Sequence, residues 1–488
     1  MVSLPAQDRS AFPPSAVDAE WAAPALAALL IYAVVVFGPQ LLNDADTWWH
    51  LAAGRWMLDH RGILRVDVFS YTHAGKPWHA HEWLSEVAMA LAYRAAGWTG
   101  VVLLFGCAAA AAMALVTRRA ARQLPPLTLT VALALMVACM APGLLARPHL
   151  LALPVVVIWM DALLAAREAD RAPPLLLSGV MALWANMHGG HVLGLGLIAP
   201  FALEAVSAAP PERRLAVFRG WAAFALASLA ASLATPFGVA GLLYPIELVR
   251  LKFLPEIVEW RPQDFSKIGT FEIALMASLF VMLQRGVRIP TLRLAILLGL
   301  VHMALHQSRH QFLLGPLALM LLAEPIGRAV APDAPRARQA VAGQGWIAAC
   351  AALALLLAGV RLAFPVERLN GPRAPIQALM HAPAALRAQP VFNDYGFGGY
   401  LIFEGVRPFI DGRSDMYGEA FSSAFFRAER PDPAALDRLL TQWQVSWTLL
   451  SFGDPVTEMM DRRPGWRRLY ADRYAVIHVR DGALPPSP

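Results

Sequence analysis

Long stretches almost free of charge decide what this 488-residue chain can become. Segments such as PALAALLIYAVVVF and GVVLLFGCAAAAAMALV offer water nothing to hydrate, and they sit in runs able to cross a ~30 Å hydrocarbon layer. Only 16% of the residues are charged and 57% are hydrophobic, against roughly a quarter charged in soluble domains. The chain reads as a polytopic α-helical membrane protein. A length criterion of about 20 residues gives about eleven spans, near 22–42, 98–117, 127–144, 149–166, 175–187, 191–207, 215–234, 271–284, 289–305, 311–327 and 345–363. The two at 175–207 are short and could form a broken or tilted pair.

Arginines mark every second loop: Arg118, Arg119 and Arg122; Arg167 and Arg171; Arg213, Arg214 and Arg219; Arg285, Arg288 and Arg293; Arg328, Arg336 and Arg338. The positive-inside rule makes those loops cytoplasmic. The net charge of +6 is thus a topology signal, and no nucleic-acid partner is expected. Residues 1–20 read as a disordered cytoplasmic tail and 21–363 as the membrane domain, with a first outer loop at 43–97. A further outer loop covers 235–270. From residue 364 to 488 the runs shorten, and PVFNDY, YLIFE, RPFIDG, SWTLLS and YAVIHVR have strand length and composition, with DPAALDRLLTQW as an intervening helix. A soluble α/β domain on the outer, periplasmic side is expected there. Heavy use of Ala, and of Arg over Lys, suggests a GC-rich bacterium, and the expected location is the bacterial inner membrane. The three cysteines lie in apolar runs, where small buried hydrophobes suffice as an explanation.

All thirteen histidines fall in outer loops, outer span ends or the tail. Crowding of the cytoplasmic loops by arginine explains part of that bias; polar chemistry on the outer face explains the rest. The stretch NDADTWWHLAAGRWMLDHRG puts Asp44 and Asp46 beside a membrane edge, where a buried charge is costly. Its periodicity predicts an amphipathic helix on the outer leaflet, with Trp49, Ala52, Trp56 and Met57 on one side and His50, Arg55 and Asp59 turned away. A second such helix is expected at HAHEWLSEVAMALAYR, with Glu82 and Glu86 one turn apart. Together they would frame a groove where Asp44, Asp46, His79, His81, Glu82 and Glu86 converge, able to act as bases or to hold a divalent metal through Asp46, His79 and His81. The plainer alternative makes Asp46 a helix N-cap worth about 1 kcal/mol, Asp44 a solvated loop residue and the histidines surface groups.

Cations at outer span ends are candidates for binding a phosphate: Arg147 in LLARPHL, and Arg309 with His306 and His310 in HQSRHQF. Arg147 could instead snorkel to headgroups. WANMHGGHVLGLG brings Asn186, His188 and His191 to an outer turn, either a re-entrant bend or a helix hairpin. The long loop YPIELVRLKFLPEIVEWRPQDFSKIG is a candidate substrate cover. FIDGRSDMYG alternates Asp411, Arg413 and Asp415, either as an internal ion pair or as an acceptor-facing rim near Asp394 and Tyr395.

DTWWHLAAGRWMLDHRG resembles the catalytic loop after the first span in the GT-C superfamily of membrane glycosyltransferases, above all the catalytic subunit of oligosaccharyltransferase. The resemblance places that family's catalytic acid at Asp46. FNDYGFGGYLIFEGVRPFIDGRSDMYG is similar to the family's Trp-Trp-Asp-Tyr-Gly motif at Asp394, Tyr395 and Gly396, but Phe392 and Asn393 stand where the tryptophans would be. Since those tryptophans help recognise the acceptor peptide, peptide N-glycosylation does not follow. The pattern DTWWHL, HEWL, GGYL also resembles bacterial members of the superfamily. The resemblance implies transfer of a sugar or glycan from a polyprenyl-phosphate-linked donor in the membrane to a cell-envelope acceptor. Asp46 would be base or metal ligand, Asp44 and Glu82 supporting acids, and Mg or Mn the metal. Asp394, Tyr395, Asp411 and Arg413 would face the acceptor. Two other classes compete: a transporter or flippase of lipid-linked glycans, which would carry ionisable groups near mid-bilayer, and a non-catalytic envelope assembly protein, which would tolerate loss of Asp44, Asp46 and Glu82.

Overall fold

The apolar runs fold as helices because a chain in hydrocarbon must satisfy its own backbone polar groups. The computed structural model describes residues 16–332 and 345–484. Most of the expected N-terminal tail, together with Arg336 and Arg338, lies outside the described residues. In chain order the first helices are α1 (Ala16–Phe37), α2 (Asp46–His60), α3 (Trp83–Ala121), α4 (Pro126–Met140), α5 (Pro148–Glu168), α6 (Ser178–Met187) and α7 (His191–Ala208). Then follow α8 (Pro211–Ser232), α9 (Val239–Leu248), α10 (Thr270–Gln284), α11 (Thr291–His306), α12 (Gln311–Val330) and α13 (Trp346–Ala363).

Among the described residues, eight helices are long and apolar enough to cross a membrane: 20–37, 83–121, 126–143, 148–168, 191–208, 211–232, 308–330 and 346–363. The remaining three of the eleven expected spans coincide with shorter apolar helices, at 175–187, 270–284 and 291–306. At 1.5 Å per residue, helices of this length reach only about 20–24 Å.

The two amphipathic elements depart from expectation. Helix α2 is not laid on a lipid surface: Trp48, Trp49, His50, Leu51, Ala52, Ala53 and Met57 are all buried. It is covered on one side by α3 and on the other by the C-terminal region, and His50 turns inward because Glu86 offers it a partner. His79 to Glu82 are not helical; α3 starts at Trp83 and runs on into the next span through a kink at Ala96–Gly97, where Gly97 takes φ 57°.

The C-terminal region contains α14 (Ile376–His381), α15 (Ala384–Arg387), β1 (Val391–Asn393), α16 (Gly398–Phe403), α17 (Ser414–Glu429), α18 (Pro433–Gln442), β2 (Trp447–Ser451), α19 (Pro455–Asp461), β3 (Trp466–Ala471) and β4 (Ala475–Arg480). The sheet order is β1-β2-β4-β3, with β1 and β2 parallel and the other pairs antiparallel. PVFNDY, SWTLLS and YAVIHVR form strands as expected. YLIFE is part of helix α16, and RPFIDG is irregular. Here tertiary contact overrides strand propensity: Tyr400 and Phe403 pack on Trp48 of α2, with ring centroids 5.1 and 5.0 Å away.

A close approach fixes this docking. A Cβ at Gly399 would lie 2.4 Å from the carbonyl oxygen of Ala45, so only glycine lets α16 meet the residue before Asp46.

Candidate functional site

The loop between α4 and α5 is tied to the start of α2. Ala146 N–H donates to the Leu41 carbonyl at 2.8 Å, and Thr47 Oγ1 donates to the Ala146 carbonyl at 3.1 Å. Arg147 is thereby held in extended backbone ahead of Pro148, the first residue of α5, as expected for a residue preceding proline. Its Nε and Nη2 donate to the two oxygens of Asp44 at 2.8 and 2.5 Å, and its Nη1 donates to Glu259 Oε2 at 2.7 Å. Nη1 also lies 3.1 Å from Asp46 Oδ2.

Asp44, not Asp46, satisfies the helix start: its Oδ2 accepts from the backbone N–H groups of Asp46 and Thr47, each at 3.1 Å. The Asp46 side chain is thus free of the capping role that its position suggested. Burial favours its neutral form, Arg147 opposes that, and the charges of Asp44 and Glu259 add to it; its pKa is pushed up to about 7. Burial would raise Asp44 and Glu259 too, but the guanidinium of Arg147, joined at Glu259 by that of Arg309, holds both below the ordinary carboxylate range.

Glu259 comes from the long loop between α9 and α10, whose residues 256–260 line the cavity. That loop is pinned to the turn between α11 and α12: Ser308 Oγ donates to the Glu259 carbonyl at 3.2 Å, and Ser308 N–H to the Arg261 carbonyl at 3.0 Å. The same turn carries Arg309, whose guanidinium lies 4.2 Å from the Trp260 ring centroid and 3.4 Å from Glu259 Oε1.

A second polar group gathers at Glu82. Trp83 Nε1 donates to Asn186 Oδ1 at 2.8 Å and Ser85 Oγ to the Met187 carbonyl at 2.9 Å, which brings the α6–α7 turn against the start of α3. The Nε2 atoms of His188, His81 and His50 then lie 3.5, 3.7 and 3.8 Å from the Glu82 carboxylate. His50 Nδ1 is 3.0 Å from Glu86 Oε1. Burial raises Glu82 to about 8 and depresses His81 to about 3.

These groups share one cavity of about 920 Å³. Its walls hold Asp44, Asp46, Glu82, Arg147, Arg309, His310, His81, Asp394 and Tyr395 at polar positions, and Cys139, Leu153, Val156 and Leu193 from apolar helices. The convergence expected of the first outer loop is present for Asp44, Asp46, His81, Glu82 and Glu86. His79 is not in the lining; its ring packs on Phe237 at 5.0 Å. His306 is also outside, stacked on His302.

Asp411 does not line the cavity. It and Arg413 are buried to 0 and 1% exposure, and Arg413 donates to Asp411 at 2.8 and 2.7 Å and to Asp67 Oδ1 at 2.7 Å. Of the two readings of FIDGRSDMYG, the internal ion pair is the one observed; it locks the tail to the loop between α2 and α3. Asp394 lines the cavity, but its carboxylate accepts from Gly396 N–H and from Ser451 Oγ, both at 2.7 Å. Tyr395 pairs with Ser414 at 2.7 Å.

Asp415, named with Asp411 and Arg413 in FIDGRSDMYG, lines the cavity, and so do Glu259, Tyr244, Glu429 and Asp454, which the sequence did not single out. Glu259 alone had a visible signal, an acid beside tryptophan in the long outer loop. Asp46, His79 and His81 are not brought together: the His79 ring packs on Phe237 outside the cavity lining, and the Arg147 guanidinium lies 3.1 Å from Asp46. No group of three or more His, Cys, Asp or Glu among the described residues is arranged to hold a metal.

The sequence matches no protein-family model and no curated protein. Solved structures do match. The archaeal oligosaccharyltransferase AglB from Archaeoglobus fulgidus, in complex with an inhibitory peptide and a dolichol-phosphate, aligns with TM-score 0.56 at 11% identity, over 88% of this chain and 69% of that one. ArnT from Cupriavidus metallidurans, bound to undecaprenyl phosphate, aligns with TM-score 0.51 at 12% identity, over 96% of this chain and 99% of that one. The fold is that of the GT-C membrane glycosyltransferases. A third GT-C structure, the Archaeoglobus fulgidus oligosaccharyltransferase complex with Zn and sulfate, aligns with TM-score 0.51 at 12% identity, over 94% of this chain and 73% of that one. The multi-pass architecture and the attached C-terminal region with its small sheet agree with the GT-C expectation drawn from the first outer loop.

Proposed function

We propose that this chain is a membrane glycosyltransferase that moves a sugar or glycan from a polyprenyl-phosphate-linked donor to a cell-envelope acceptor at the outer face. The observation that carries this reading is the make-up of the cavity. It joins apolar helix surface at Cys139, Leu153 and Val156 to a polar end where a half-buried carboxyl, Asp46, stands beside Arg147, with Arg309 lining the same cavity. An isoprenoid tail suits the first part and a phosphate the second.

In the proposed reaction an acceptor hydroxyl oxygen forms a bond to the anomeric carbon of the donor. The bond from that carbon to the phosphate oxygen breaks, and its electron pair leaves with the phosphate. Asp46 takes the acceptor proton; its raised pKa matches a base working near neutrality. Arg309, which among the described residues pairs with one carboxylate, Glu259, and that at 3.4 Å, is the freer cation for the departing phosphate, with His310 beside it. Glu82 is a second acid of the same cavity. Asp394 and Tyr395 form the acceptor side. No step is routed through the Mg or Mn ion that the sequence suggested, because Arg147 already engages the carboxylates.

The arginine-rich loops assign the N-terminus to the cytoplasm and the region from 364 onward to the periplasm of a bacterial inner membrane. The pairing of Arg118 with Glu20 at 2.8 Å supports this, since it places the start of α1 at the arginine-rich end of α3. The test is purification followed by mass spectrometry of bound lipid and a transfer assay with that lipid. A polyprenyl phosphate glycan, consumed by wild type and not by Asp46→Asn, is the expected result. Equal turnover by Asp46→Asn would overturn the assignment of the base.

A further inference from the structure

Three carboxylates from two distant segments meet at one cation. Asp44 and Asp46 precede or open α2, Glu259 arrives from the long outer loop, and the guanidinium of Arg147 lies between them. Such a trio of hard oxygen ligands is what a divalent ion would take.

Its oxygens are already committed. Both oxygens of Asp44 accept from Arg147, and Oδ2 also takes the two backbone N–H groups at the head of α2. Glu259 divides its oxygens between Arg147 and Arg309. Asp46 Oδ2 faces Arg147 at 3.1 Å, and its Oδ1 lies against Gly412, where an added Cβ would come within 2.0 Å.

We propose that Arg147 is a built-in replacement for a divalent cation at this carboxylate trio, and that it keeps such an ion out. A planar, permanently charged fork can address several carboxylate oxygens at once, and Arg147 uses three nitrogens to do so. Its paired bonds to Asp44 and its bond to Glu259 orient that fork, so the compensation is present without any ion being captured. An ion entering the trio would have to displace the guanidinium and then sit beside its positive charge. The inference goes beyond the transfer reading and rests on it only for one corollary: turnover should persist after chelation.

The test measures Mn²⁺ binding to the full chain in detergent after stripping with a chelator, by equilibrium dialysis and electron paramagnetic resonance. Wild type is expected to hold no ion that is lost in Asp46→Asn. Arg147→Gln and Arg147→Ala are expected to gain about one ion per chain, lost again when Asp46→Asn is added. The proposal is overturned if wild type binds an ion whose retention needs Asp46, or if folded Arg147 variants gain none. Should neither Arg147 variant fold, the comparison of wild type with Asp46→Asn still decides, since an Asp46-dependent ion in wild type refutes the idea and its absence supports it. The readout is binding, so it stands or falls separately from any transfer assay.

Discussion

Gly412 lies so close to Asp46 that a Cβ on it would fall 2.0 Å from Asp46 Oδ1 and 2.7 Å from Trp49 Nε1. The C-terminal region therefore forms a wall of the carboxylate site in the first outer loop. Gly412→Ala is expected to push the Asp46 side chain aside and lower transfer by about 10–100-fold, the scale of an ångström-sized misplacement. Transfer rates beside thermal unfolding will show whether the loss is local, as expected.

Removing the charge of Asp46 is expected to do more. Asp46→Asn should lower transfer by about 10²–10⁴-fold, the usual contribution of a general base, while Asp44 continues to accept from the head of α2. Membrane levels and the unfolding temperature are the control.

The pH dependence has a definite sign. With Asp46 as base, the rate should climb as pH rises through about 7, where its carboxyl loses its proton. Glu259 is one of the charges that raise Asp46, so Glu259→Gln should move that ascending limb to lower pH. Stability runs the other way. The folded state holds the Asp46 proton more tightly than the unfolded chain, so this group's contribution is lost as pH rises from about 4 to about 7. Asp46→Asn should flatten that slope in a denaturation series.

Arg413 is buried with Asp411 and Asp67 around it, and Tyr417 donates to Asp411 at 2.5 Å. Arg413→Ala would leave two carboxylates buried without a cation, at a cost of about 3–5 kcal/mol. Adding Asp67→Asn should recover part of the loss. Unfolding of the two variants checks this, and equal stability of Arg413→Ala and wild type would rule the lock out.

Arg309 should matter for lipid binding in its own right. Loss of a charge-assisted contact is worth about 1.5–3 kcal/mol, so Arg309→Ala is expected to weaken undecaprenyl phosphate binding by about 10–100-fold. Arg309→Lys should recover only part, because the ammonium lacks the planar fork. Native mass spectrometry of the lipid complex reads this directly.

Helices in the membrane were legible because twenty apolar residues permit little else, and so were the acids between the first two spans. Residues that reach the cavity from afar were not. An acid beside tryptophan was the one local sign of Glu259, and nothing local to Gly412 or His188 says that the tail and the α6–α7 turn end beside Asp46 and Glu82. YLIFE was misread as a strand because its sequence fits one; docking on Trp48 made it a helix. His79 and His81 looked alike in sequence, yet only His81 turned into the cavity.

By itself, then, the sequence determined that the chain spans a membrane and that acids gather between its first two spans, since hydrocarbon excludes charge wherever the chain is. Only the tertiary structure decided that Asp44 satisfies the helix head, that Asp46 is left with a raised pKa, and that Arg147 stands among the carboxylates. The last two depend on groups about a hundred residues or more apart, Arg147 and Glu259 beside Asp44 and Asp46, and burial and charge act through space rather than along the chain.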